Sequence, residues 1–200
     1  VTASRPALGT SSLDGADLAP MRPATSDTAS LLRDVPGVSL YGAGGVSSLP
    51  ALQGLADDRL RIKVDGMDII SACGNHMNPP LSYIDPSNVG SIQVFAGITP
   101  VSVGGDSIGG AIQVNSPAPE FAREGEGTLT KGQAGAFYRS NGNAKGSNVS
   151  ATIASEILSM TYSGSTVESG NYKAGGDFKP AGLAFTDAAQ SYINSTKWLP

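Results

Sequence analysis

The segment SACGNHMNPP, residues 71 to 80, gathers the chain's one cysteine, its one histidine and one of its four methionines within five positions: Cys73, His76 and Met77. Thiolate, imidazole and thioether together form a soft-to-borderline donor set, and sulfur donors of both kinds select copper(I) over harder cations. Zinc fits this set less well, because its sites take four ligands and do without thioether. Each residue also has an ordinary use: a lone cysteine packs as a small hydrophobe, a histidine bonds a turn, a methionine fills a gap. Their coincidence in a loop of Gly, Asn and Pro, where packing needs no sulfur, favours a metal site. Nucleophilic catalysis is not expected, since nucleophile and base are brought together by a fold rather than within one tetrapeptide. The carboxylate pairs Asp57-Asp58 and Asp65/Asp68 flank turns and read as solvated or capping groups. The chain is expected not to be an enzyme.

Composition narrows the partners. Only 15% of residues are charged and the net charge is -4, which leaves no basic footprint for nucleic acid. A single cysteine excludes an internal disulfide framework. No apolar run approaches the roughly 20 residues of a spanning helix, so any passage through a membrane would be as a β-barrel. The absence of a basic then apolar start at Val1, and the abrupt end at TKWLP, lead to the expectation that the chain is an excerpt of a longer protein.

The elements that would carry the loop are short. Residues 1 to 25 have no sustained period and read as an extended, flexible leader. Ser26 or Asp27 can cap a short helix through Asp34, which Pro36-Gly37 stops. Val38 and Leu40 alternate as a small strand, residues 41 to 53 read as a Gly- and Ser-rich connection, and Arg61 to Asp65 form a strand with Ile62 and Val64 inward. Ser91 to Phe95 and Ala111 to Asn115 put Ile92, Val94, Ile112 and Val114 on one face and Gln93 and Gln113 on the other. Between them Gly104, Gly105, Gly109 and Gly110 give a connection in which some residues are expected at positive φ. This predicts an α+β globule: a small mixed sheet with short helices.

After Gly127 the pattern changes. Ala134, Ala136 and Tyr138, then Val149, Ala151 and Ile153, then Leu158, Met160 and Tyr162 alternate with small polar residues, although Phe137 interrupts the polar face. Such strands match an outer-membrane barrel, apolar outside and polar inside; a soluble sandwich alternates in the same way. Residues 118 to 200 supply only a few of the eight or so strands a closed barrel needs.

Three separated motifs, LLRDVPGVSLYG (31 to 42), SLPALQGLADDRLRIKVDGMDI (48 to 69) and IDPSNVGSIQVFAGITPVSVGGDSIGGAIQVNS (84 to 116), together resemble the plug domain of TonB-dependent outer-membrane receptors over residues 27 to 117. Where family members carry a charged residue and an RGP turn, this chain reads Phe95 to Pro100, so no role of that arginine carries over. The resemblance implies a periplasmic leader at 1 to 25, a plug at 26 to 117 lying in a barrel lumen, and the first strands of a transmembrane β-barrel at 118 to 200. It further implies a cell outer membrane location in contact with outer-membrane lipid. The implied partner is a TonB-type inner-membrane energy-coupling protein met by the leader, of whose coupling segment Val1-Thr2-Ala3-Ser4 resembles the tail. Cys73-x-x-x-Met77 resembles the plug half of the site in copper receptors of this family, which implies uptake of copper with further ligands from the barrel. A metal chelate such as an iron chelate is the other cargo the family would allow, and a surface binding module without transport is the reading outside it.

Overall fold

The computed structural model describes residues 9–43, 47–97, 99–104, 107–171 and 173. In chain order its strands are β1 (Thr10–Leu13), β2 (Val38–Ala43), β3 (Ser47–Leu52), β4 (Leu60–Val64), β5 (Met67–Asp68), β6 (Ser91–Ala96) and β7 (Gly110–Asn115). Three longer ones follow, β8 (Leu129–Arg139), β9 (Ala144–Ala154) and β10 (Ser159–Glu168). The helical parts are one turn of α-helix, α1 (Gly15–Leu18), and short 3-10 turns that include Thr28–Leu32 and Pro80–Tyr83.

The alternating segments pair as their apolar faces require. β6 and β7 run antiparallel with Ile92 opposite Val114 and Val94 opposite Ile112, while Gln93 faces Gln113 on the other side. β4 joins β7 in parallel, Ile62 beside Ile112 and Val64 beside Val114, and the sheet order is β1-β6-β7-β4-β5. Leu18, Leu31, Leu32, Leu52 and Leu81 cover the apolar face and are 0% exposed. Each such burial contributes about 1.5–3 kcal/mol, so these few contacts fix where the short turns sit. β2 and β3 make a separate hairpin against this core, with Leu40 opposite Pro50.

Three expectations are corrected here. Residues 10 to 24 are not leader: Thr10–Leu13 pairs with β6 as an edge strand, and Asp14 and Asp17 cap α1 reciprocally while Leu18 enters the core. Only the head of the expected leader, Val1-Thr2-Ala3-Ser4 included, lies outside the described residues. Residues 47 to 52 form β3 rather than connection; the strand is buried almost throughout and so shows no alternation, and its Pro50 is tolerated in a two-stranded sheet because an edge N–H needs no partner. The helix expected from Asp27 to Asp34 is a tighter 3-10 turn over Thr28–Leu32, capped by Asp27 through the Ala29 N–H.

β8, β9 and β10 form an antiparallel sheet in the order β10-β9-β8. One face carries Ala134, Ala136, Tyr138, Val149, Ala151, Ile153, Met160 and Tyr162, and it is bare: Ile153 is 59%, Tyr162 70% and Met160 72% exposed. The other face, with Gln133, Asn148, Ser150 and Ser163, looks toward Arg22, Ser26 and Asp85 of the first globule. The Arg139 guanidinium donates to the Ala24 carbonyl at 3.1 Å and to the Ser26 hydroxyl. Phe137 fits on this inner face because its cross-strand partner is Gly146, where a Cβ would lie 2.6 Å from the ring, and Arg139 stacks over it at 4.3 Å. Leu158 belongs to the tight turn before β10, whose Ser155 N–H bonds the Leu158 carbonyl at 2.7 Å. A spin label moved along residues 158 to 163 of the intact, lipid-embedded protein is therefore expected to alternate, with Met160 and Tyr162 open to a lipid-soluble quencher and Ser159, Thr161 and Ser163 shielded. Uniform quenching would refute the strand or its register.

Candidate functional site

The loop with the sulfur donors hangs between two fixed points. β4 and β5 are joined by the two-residue turn Asp65-Gly66, at φ 49° and 82°, the positive-φ pair that a tight hairpin requires. On the far strand Asp68 accepts two bonds from Arg61, at 2.7 and 3.0 Å, and this guanidinium holds its carboxyl below the usual range. The Ile69 N–H still bonds the Ile62 carbonyl at 3.0 Å, after which the chain leaves the sheet. It returns at Pro79 and the 3-10 turn Pro80–Tyr83, where Leu81 is driven into the core.

Inside this span the chain coils on itself. The His76 N–H bonds the Cys73 carbonyl at 3.0 Å, with His76 at φ 51°, and the Met77 N–H donates to Cys73 Sγ at 3.2 Å. The Asn78 amide foremost, then those of Met77 and Asn75 and the Ser71 hydroxyl, lower the Cys73 thiol from its ordinary pKa, with partial burial opposing them. Backbone donors favour the charged thiolate, which is the form that binds metals. Two sequence-expected residues are thus brought together: Cys73 and Met77 share one turn, and the Met77 side chain is 59% exposed and open to a ligand. His76 faces away toward carboxylates, its Nε2 lying 4.0 Å from Asp57 Oδ1 and 4.0 Å from Asp58 Oδ2. Among the described residues no three His, Cys, Asp or Glu side chains gather as a cage for a metal ion. Cys73 and Met77 are the two sulfur-bearing residues of this loop, joined in the structure through the Met77 N–H.

Other contributors were not visible in the sequence. The Tyr83 hydroxyl accepts from the Ala72 N–H and donates to the Asn78 carbonyl, and the Ser71 hydroxyl reaches that same carbonyl. A tyrosine a few residues after a Pro-Pro pair is too ordinary to mark, and the Asp57-Asp58 contact with His76 depends on folding segments far apart in the chain.

A small mixed sheet thus packs beside the polar face of three long antiparallel strands. Residues 7–111 match the family model described as TonB-dependent Receptor Plug Domain, and the chain belongs to that family. Among solved structures it is similar to "Copper transporter OprC", with 25% identity and a TM-score of 0.71 over 82% of this chain and 24% of that one. The FrpB iron transporter from Neisseria meningitidis is similar over 86% of this chain and 25% of its own, at 21% identity and a TM-score of 0.63. The ferric enterobactin receptor PfeA from Pseudomonas aeruginosa matches over 82% of this chain and 25% of its own, at 17% identity and a TM-score of 0.60. The chain thus spans about a quarter of the length of these structures. No curated protein sequence matched. The first globule is a plug domain, and β8 to β10 are antiparallel strands of the barrel that follows it.

Proposed function

We propose that this chain is the plug and first barrel strands of an outer-membrane receptor that takes up copper, energised by a TonB-type partner acting on its N-terminus. The plug occupies the lumen, the division between plug and barrel falls at about residues 117 and 118, and Cys73 and Met77 form the plug's share of the copper site. One observation carries the copper part: Cys73 and Met77 sit in a single turn whose amides lower the thiol's pKa, a donor pair suited to copper(I) and poorly suited to iron chelates. Likeness to a protein named as a copper transporter supports the same reading. In this view His76 assists from outside the coordination sphere, its imidazole 4.0 Å from the carboxylates of Asp57 and Asp58.

The test is metal selectivity of the intact receptor, purified in detergent under reducing conditions and exposed separately to copper(I), zinc(II) and a ferric siderophore. Near-stoichiometric retention of copper(I), with zinc and the iron chelate washed away, is the expected outcome by mass spectrometry. Retention of the ferric siderophore without copper would replace this reading with iron-chelate uptake.

A further inference from the structure

We propose that Tyr83 is the positioning residue of this site, its hydroxyl joining the two ends of the loop so that Cys73 and Met77 are held as a pair. The proposal rests on the copper reading above and goes beyond it. The hydroxyl accepts from the Ala72 N–H at 2.6 Å and donates to the Asn78 carbonyl at 2.9 Å. Between those anchors lie residues 73 to 77, the stretch that begins with one sulfur donor and ends with the other.

The hydroxyl can act this way because it stands on a fixed post. Tyr83 ends the 3-10 turn begun by Pro80, and Leu81 in that turn is 0% exposed, so the post is set by the core and not by the loop. Without the closure, the Cys73–Met77 turn would be joined to the rest of the chain through the Ser71 bond and its two ends, and the added freedom would cost conformational entropy when a metal gathers both sulfurs. With it, the Met77 N–H already lies 3.2 Å from Cys73 Sγ. The Ser71 hydroxyl bonds the same Asn78 carbonyl at 2.9 Å and is a second tie across the loop, but Ser71 belongs to the loop itself, whereas Tyr83 brings its hydroxyl from a turn fixed by the core. The ring is 49% exposed, and Tyr83→Phe removes the hydroxyl while leaving the core contacts of Leu81 intact.

The experiment compares wild type, Tyr83→Phe and Tyr138→Phe in the intact receptor. Tyr138 is the control, since its hydroxyl bonds Asn143 at 2.9 Å on the β8–β9 turn, away from the loop. Copper(I) affinity is measured by competition with a chromophoric copper(I) chelator, the ultraviolet thiolate-to-copper band is recorded per bound copper, and amide hydrogen exchange is followed in the metal-free protein. Tyr83→Phe is expected to weaken affinity by about tenfold, to reduce the band, and to speed exchange across 71 to 79 but not in β6 and β7. Tyr138→Phe is expected to match wild type in all three. Wild-type affinity and band in Tyr83→Phe would overturn the proposal even with faster exchange, since loosening alone would then be structural. If the wild type itself holds no copper that depends on Cys73, the copper reading fails and this proposal with it, a failure seen in the wild-type titration before any Tyr83 variant is compared.

Discussion

Cys73→Ser is expected to leave the intact receptor almost without copper(I), Met77→Ala to retain it weakly, and His76→Ala to bind nearly as wild type. The order follows from what each group offers. A thiolate brings charge and covalency, and the amides of Asn78, Met77 and Asn75 are arranged to favour that charged form. Serine can accept the same Met77 N–H bond but does not ionise or bond covalently to a soft cation, so the loss should exceed the roughly hundredfold ceiling typical of outer-sphere changes. Met77 contributes a neutral thioether on an exposed side chain that can be replaced in part by water or another donor, and a loss of about tenfold is expected. His76 directs its imidazole to Asp57 and Asp58 at 4.0 Å, so its removal disturbs the turn more than any bond to the metal. Copper content of the four purified proteins after loading decides among these, and equal copper in wild type and Cys73→Ser would end the metal hypothesis.

The second large effect lies at Gly110. There the chain enters β7 at φ 117°, and a Cβ would lie 2.1 Å from the Phe95 carbonyl oxygen and 2.9 Å from Leu52 Cδ2. The first atom belongs to the backbone of the partner strand and cannot move without breaking the β6–β7 ladder; the second is a fully buried core leucine. Gly110→Val combines backbone strain with overpacking, together about 3 kcal/mol or more, against a total stability of about 5–15 kcal/mol for a domain. The plug is expected to lose its protease resistance while the barrel still resists, and pores of the variant receptor are expected to leak ions. Gly109→Val should act similarly without the φ penalty, since its Cβ would meet Leu60 Cδ2 at 2.8 Å and the Arg59 carbonyl at 3.0 Å. A Gly110→Val receptor as protease-resistant and ion-tight as wild type would refute the argument. Gly104, at φ 115°, also meets the expectation of positive φ, whereas Gly105 lies outside the described residues.

How far the sequence could be read depended on where each element draws its order from. β4, β6 and β7 were legible because each buries one face and therefore alternates, and the barrel strands were legible for the same reason with the faces reversed. β1 was not, because Thr-Ser-Ser-Leu has a single apolar residue and becomes a strand only by bonding to β6. The Asp14–Asp17 cap stands in the chain, but it opens a four-residue helix too short to show a helical period. At the candidate site, the residue types of Cys73, His76 and Met77 carry the donor softness on which the copper proposal rests, since that property belongs to the side chain itself. What they could not disclose was direction: the turn of His76 toward Asp57 and Asp58, and the closure by Tyr83, exist only once separate segments have folded together.

The sheet order sets one further relation. β1 and β5 occupy opposite edges, with β6, β7 and β4 between them, a separation of roughly 19 Å at the usual strand spacing. β1 is tied to the sheet along a single side, by its register with β6, whereas the sulfur loop leaves from β5 and is anchored through β4, Leu81 and the Arg61–Asp68 pair. Peeling β1 from its edge would leave that anchorage whole. A tug on the first strand would therefore break no strand pairing that anchors residues 69 to 79, and the two edges of the sheet are mechanically insulated from each other.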